Sequence, residues 1–232
     1  MTASDASFDS RLEQAKLDAM KELAYGASHE INNPLANISA RAQSLLRDER
    51  DPERRRTIEA INQQALRAHE MISDLMLFAR PPQLVLALTN LAEVVSEAAR
   101  GLAPELARRN VALRFDSATS LPVVEADATH LQVAVRALLD NALDAIGRDG
   151  AIVVTWSSTE GATQLVIADT GPGIAPEIRP HIFDPFYSGR EAGRGLGFGL
   201  SKAWRIVALH NGTLAADSPP TGGATFTMTL PQ

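Results

Sequence analysis

Arg47-Asp48-Glu49-Arg50-Asp51-Pro52-Glu53-Arg54-Arg55-Arg56 is the stretch on which the fold of the first half turns. It is almost wholly charged, and Asp51-Pro52 at its centre is a break. Apolar residues recur on either side at steps of three or four. Before the break they are Met20, Ala24, Ala27, Ile31, Leu35, Ile38, Ala42 and Leu45; after it they are Ile58, Ile61, Ala65, Ala68, Ile72, Leu75 and Ala79. Such spacing predicts two amphipathic helices with heptad-like seams, and the short charged turn makes them antiparallel neighbours. Each stripe is narrow, so a lone hairpin buries little. The expected solution is a dimeric four-helix bundle built from two hairpins.

Arg80-Pro81-Pro82 closes the second helix, because a residue before proline is pushed out of the helical region. Beyond it the periodicity changes. Leu91 to Leu106 reads as one helix with Asn90 as cap, and Val111–Phe115 as a strand. His130–Ile146 reads as an apolar helix preceded by Asp127. Ala151–Trp156 and Gln164–Ala168 are expected to form a strand hairpin, Ser201–His210 a helix and Ala224–Leu230 a last strand. Helices and strands without regular βαβ order predict an α/β sandwich with a mixed sheet. The expected division is 1–81 and 82–232.

The 232 residues carry 22 Lys+Arg against 28 Asp+Glu, a net charge of −6, which argues against nucleic-acid binding through a basic surface. Cysteine is absent, excluding a disulfide scaffold, zinc thiolates and a cysteine nucleophile. No apolar run approaches the length of a membrane span, and the first residues lack the pattern of a signal peptide. A cytoplasmic location is expected, with a membrane tether only through sequence outside this segment.

Chemistry-bearing residues cluster in five places. In Ser28-His29-Glu30-Ile31-Asn32-Asn33-Pro34-Leu35, His29 lies about 160° around the helix from Ile31 and so projects off the seam. A neutral imidazole is a competent nucleophile near neutral pH, and Glu30 can take its proton. Asn33 lies one turn on, over His29. Pro34 removes a hydrogen bond to the Glu30 carbonyl and is expected to kink the helix. The alternative is a plain solvated histidine.

Asn141 and Asp144, three apart within Leu138–Ala145, are either a satisfied core contact or a ligand face. Asp169-Thr170-Gly171-Pro172-Gly173-Ile174 follows a strand and is either a simple turn or a carboxylate placed to accept from an exocyclic amine. Ile182–Tyr187 is an aromatic loop. Gly193-Arg194-Gly195-Leu196-Gly197-Phe198-Gly199-Leu200 repeats glycine every second residue ahead of a helix. Glycine admits close backbone approach, and a helix N-terminus attracts phosphate. The run is neither a Walker A loop nor a Rossmann fingerprint.

His29 through Leu35 resembles the phosphoacceptor box of two-component sensor histidine kinases. The four later stretches, in this order, resemble the N, G1, F and G2 boxes of the ATP-binding fold those kinases share with gyrase B, MutL and the large heat-shock ATPases. The resemblance implies that His29 is phosphorylated, that Glu30 is the base, and that Asn33 positions water when the same enzyme dephosphorylates its partner. It implies that Asn141 ligates Mg²⁺ between the ATP phosphates and that Asp169 reads the adenine amino group, with Gly171 and Gly173 making room for the base. Phe183 and Phe186 would shape a lid, and Gly195, Leu196, Gly197 and Gly199 would cradle phosphate, with Arg190 and Arg194 meeting its charge.

By the same resemblance the chain is a homodimer. Its phosphate passes to an aspartate on the receiver domain of a response regulator, with no nucleic acid and no membrane contact involved. Two positions depart from the pattern. Ala137 stands where a second asparagine is usual, and Asp144 adds an acid where a basic or amide group is common. These two are the support for a non-enzymatic scaffold. A gyrase-like ATPase would leave His29 without a use.

Overall fold

The structure, a computed structural model, describes residues 30–79, 82–116, 122–159, 161–185, 187, 198–219 and 222–232. The chain divides into two compact units between Pro82 and Gln83.

In the first unit, helix α1 (described over 30–48) and α2 (Pro52–Ala79) are joined at Asp51. Asp51 caps α2: its Oδ1 accepts from the N–H groups of Glu53 and Arg54, both at 2.9 Å, and Pro52 takes the first helical position, where no N–H is needed. Three cross-helix hydrogen bonds set the direction. Arg55 donates to the Leu46 carbonyl at 3.2 Å, Ser39 to Asn62 Oδ1 at 2.7 Å, and His69 Nδ1 lies 3.0 Å from Asn32 Oδ1. Each step of seven residues down one helix is a step of seven up the other, so the pair is antiparallel and in heptad register. Helix α1 runs uninterrupted through Pro34.

The apolar stripes divide within this hairpin. Ala42 and Ala65 are buried, but Ile31, Ile38, Leu45 and Ile61 remain 41 %, 44 %, 62 % and 48 % exposed. The centre of the helix contact is partly polar, at Ser39 and Asn62, rather than the continuous apolar seam read from the sequence. A groove of ≈ 440 Å³ lies along the hairpin, lined by Leu35, Ile38, Thr57, Ala60, Ile61, Gln64 and Ala65.

The second unit begins with strand β1 (Ala87–Asn90), followed by α3 (Leu91–Arg100), α4 (Ala103–Arg109), β2 (Val111–Phe115), β3 (Val123–Ala126) and α5 (Ala128–Ile146). Then come β4 (Gly150–Thr159), β5 (Ala162–Asp169), a 3₁₀ turn (Arg179–His181), α6 (Gly199–Leu209), β6 (Thr213–Asp217) and β7 (Thr225–Pro231). The main sheet has the order β2-β4-β5-β7-β6, with β2–β4 parallel and the other pairs antiparallel. β1 and β3 form a separate antiparallel pair. Alternation along the strands turns Ile152, Val154, Leu165, Ile167, Phe226 and Met228 into the core. There they meet Leu131, Leu138, Leu139 and Leu143 of α5 and Ile206 and Val207 of α6, all 0–2 % exposed. The result is a two-layer α/β sandwich with a mixed sheet.

The helix read over Leu91–Leu106 is in fact two. Pro104 has no N–H for the carbonyl of Arg100 and its ring would collide with it, so the chain stops at Gly101 and restarts at Ala103. Asn90 caps α3 as expected, its side chain accepting from Ala92 N–H. The β4–β5 strands extend beyond the predicted limits, and β1, β3 and β6 are additional. These three are short: β1 shows one buried position in four, and β6 carries Ala215-Ala216 where a strand pattern would want larger residues.

Candidate functional site

Asp169 is the last residue of β5, where the sheet leaves the core and its carboxylate turns into a loop cluster. It is 7 % exposed. Oδ1 accepts from the N–H of Gly171 at 2.8 Å and of Ala224 at 3.2 Å. Oδ2 is buried with no hydrogen-bond partner among the described residues. Burial raises the carboxyl above its ordinary range, and the two N–H donors oppose that shift. A buried carboxylate oxygen without a donor is costly, and it fits a ligand that carries an N–H.

Around Asp169 the backbone packs too closely for side chains. A Cβ on Gly171 would lie 3.1 Å from the Ala145 carbonyl carbon of α5. Gly173 has φ +83° and abuts Ser218 Oγ; Gly223 has φ +80° and sits directly on the Asp169 carbonyl oxygen. Backbone bonds Gly223 N–H to Gly171 O, at 3.0 Å, and Asp169 N–H to Ala224 O, at 2.9 Å, lock the 169–174 loop to the segment entering β7. The Gly223–Ala224 contribution was absent from the sequence reading; the Gly222-Gly223 pair before the last strand was its signal.

Asn141 lies half-buried on α5, one helical turn before Ala145. Asp144 is answered by charge: its Oδ1 lies 3.1 Å from Arg109 Nη1, and Arg109 Nε is 2.6 Å from Glu105. A cation from α4 thus compensates the acid that departs from the family pattern, a pairing that no local spacing reveals. Ala137 is half-buried beside the Arg136–Asp140 bridge of 2.8 Å. Gly199 is the first residue of α6, and the residue before it, Phe198, makes no side-chain capping hydrogen bond. Among the described residues no group of three His, Cys, Asp or Glu could hold a metal ion, so a cation here would need donors such as the Asn141 amide and the ligand itself.

On the hairpin, Glu30 and Asn33 are exposed. Asn32, between them and the seam, is turned to His69. His29, Phe186, Arg190, Arg194, Gly195, Leu196 and Gly197 lie outside the described residues. No helix among the described residues is long and apolar enough to cross a membrane.

Residues 19–83 match the His Kinase A (phospho-acceptor) domain, and residues 126–232 match the Histidine kinase-, DNA gyrase B-, and HSP90-like ATPase family. Sensor histidine kinase ZraS of Escherichia coli K12 is 32 % identical over 226 residues, covering 96 % of this chain and 48 % of ZraS. Sensor protein FixL of Bradyrhizobium diazoefficiens is 32 % identical over 227 residues, covering 94 % and 44 %. The chain thus spans about half the length of these relatives. Full-length ShkA, solved with AMPPNP, superposes with TM-score 0.78 at 25 % identity over 90 % of this chain and 45 % of ShkA. Histidine kinase ThkA, solved with the response regulator TrrA, gives 0.69 at 23 % identity over 100 % and 67 %, a likeness of fold.

Proposed function

The chain belongs to the two-component sensor histidine kinases, and on that footing we propose that it transfers the γ-phosphoryl group of ATP to His29 and thence to an aspartate of a response regulator. The observation that carries the nucleotide half of this reading is the buried, unpartnered Oδ2 of Asp169. An adenine 6-amino group supplies the donor that this oxygen lacks, and Gly171, Gly173 and Gly223 let the loop and the turn into β7 close tightly around Asp169.

Asn141 would hold Mg²⁺ together with the phosphates, and an ion bound there would supply charge neutralisation for the transferring group. Arg190, Arg194 and the Gly195-Leu196-Gly197 run, with Gly199 at the start of α6, receive the triphosphate. Asp144, answered by Arg109, borders the site without adding an unscreened negative charge. In the transfer, a ring nitrogen of His29 forms the bond to the γ-phosphorus, the bond to the β–γ bridging oxygen breaks, ADP leaves, and Glu30 takes the ring proton. Positioning and charge compensation supply the catalysis, as in other phosphoryl transfers.

The protein acts as a homodimer. The exposed Ile31, Ile38 and Leu45, seven residues apart, and Ile61 beside the groove form one apolar face that a second hairpin covers. Asn33, an amide unable to take a proton, orients the water that dephosphorylates the regulator. Incubation with γ-labelled ATP is the test. Acid-labile, base-stable label is expected on the unmodified chain and none on His29→Ala; label persisting on His29→Ala overturns the assignment.

A further inference from the structure

Ser218 stands just after β6, remote in sequence from every motif that points to the nucleotide. Its hydroxyl accepts from the N–H of Ile174 at 3.0 Å and donates to the carbonyl of Gly223 at 2.9 Å. It therefore bridges, from a third segment, the two that the Asp169 carboxylate itself joins. One is the loop 169–174, whose Gly171 N–H holds Asp169 Oδ1; the other is the turn into β7, whose Ala224 N–H holds the same oxygen. Gly173 touches this hydroxyl so closely that a Cβ there would collide with it. The two N–H donors fix the rotation of the Asp169 carboxylate and leave Oδ2 unpartnered.

We propose that Ser218 is a positioning residue for base specificity: its hydroxyl clamps the two donor segments together, so that Asp169 presents Oδ2 to an exocyclic amino group. The proposal rests on the reading of Asp169 as the adenine contact. A strut that only stabilised the fold would affect all nucleotides alike. A strut that aims Oδ2 affects only those carrying the 6-amino group. Purine riboside triphosphate, with hydrogen in place of that group, separates the two cases.

Dissociation constants are measured for ATP and for purine riboside triphosphate, each with Mg²⁺, on the full chain. A charge-assisted hydrogen bond predicts that the unmodified chain prefers ATP by about ten- to a hundred-fold. In Ser218→Ala the ATP constant should rise roughly five- to ten-fold, while that of the purine analogue changes by less than about two-fold. Ser218→Thr, which keeps the hydroxyl, should restore the preference. Should Ser218→Ala not fold, Ser218→Cys fills the space with a weak donor and serves in its place. Equal weakening of both nucleotides, or a Thr variant no better than Ala, overturns the proposal. Asp169→Asn is measured alongside. If it abolishes the preference while Ser218→Ala retains it, Ser218 alone is misassigned; if it leaves the preference intact, the adenine reading has failed and the proposal falls with it.

Discussion

Asp169→Asn is expected to weaken nucleotide binding without lowering the stability of the nucleotide-free protein. In the native chain the carboxylate is 7 % exposed, with two backbone N–H groups on Oδ1 and none on Oδ2. The side-chain oxygen of asparagine can keep the two bonds to Gly171 and Ala224. Its NH₂ then occupies the place of Oδ2 and meets the adenine amine donor to donor. The lost interaction is charge-assisted and buried, worth about 1.5–3 kcal/mol, or roughly ten- to a hundred-fold in affinity. The nucleotide-free protein responds otherwise. Because burial raises the Asp169 carboxyl, the native state holds that proton more tightly than the unfolded chain does. Its contribution to stability is present below the unfolded-state value and is lost as pH rises through the folded one. At neutral pH the buried charge is a cost, which asparagine removes. Calorimetry should therefore show weakened ATP binding, and thermal melts without nucleotide should show a midpoint that is not lowered. A folded variant with unchanged ATP affinity, or weaker binding explained wholly by a lower melting midpoint, refutes the reasoning.

Ile61→Asp places a charge on the exposed apolar face, where the remaining exposed half of each isoleucine is worth about 1 kcal/mol on burial and is lost in both copies of a symmetric pair; sedimentation should show a monomer whose second unit still melts cooperatively. Glu30→Gln should lose histidine labelling while retaining dephosphorylation of a phosphorylated regulator, and Asn33→Ala should do the reverse; parallel loss of both activities in both variants contradicts the division. Asp127, the cap of α5, would be raised by burial, but the N–H groups of Val85 and His130 and the His130 imidazole hold it down at about 2. Its stabilising contribution is thus full above the ordinary carboxylate value and lost as pH falls towards 2; Asp127→Ala should cost about 1–2 kcal/mol in denaturant melts at neutral pH and flatten that acid dependence.

The two-helix hairpin, its turn at Asp51-Pro52, the α5 and α6 helices and the β4–β5 pair were legible in the sequence because their signals are local. A cap, a proline and a hydrophobic period act within a few residues. The same locality explains the misreading of Leu91–Leu106, where a continuous apolar pattern outweighed Pro104, and the missed β1, β3 and β6, whose short strands exist only through their partners. For Asp169, Gly171 and Gly173 the local pattern left a plain turn and a ligand site equally open, and only the family resemblance pointed to a nucleotide.

Tertiary structure alone decided what surrounds them. Arg109 answers Asp144 across 35 residues, Ala224 holds Asp169 across 55, and Ser218 reaches Ile174 across 44. It also decided that Ser39 and Asn62 take the centre of the helix contact, leaving Ile38 and Ile61 exposed. Periodicity tells which residues share a face of an element. Which partner meets that face, and which polar atom is left without one, depends on how distant segments pack, and no local pattern encodes it.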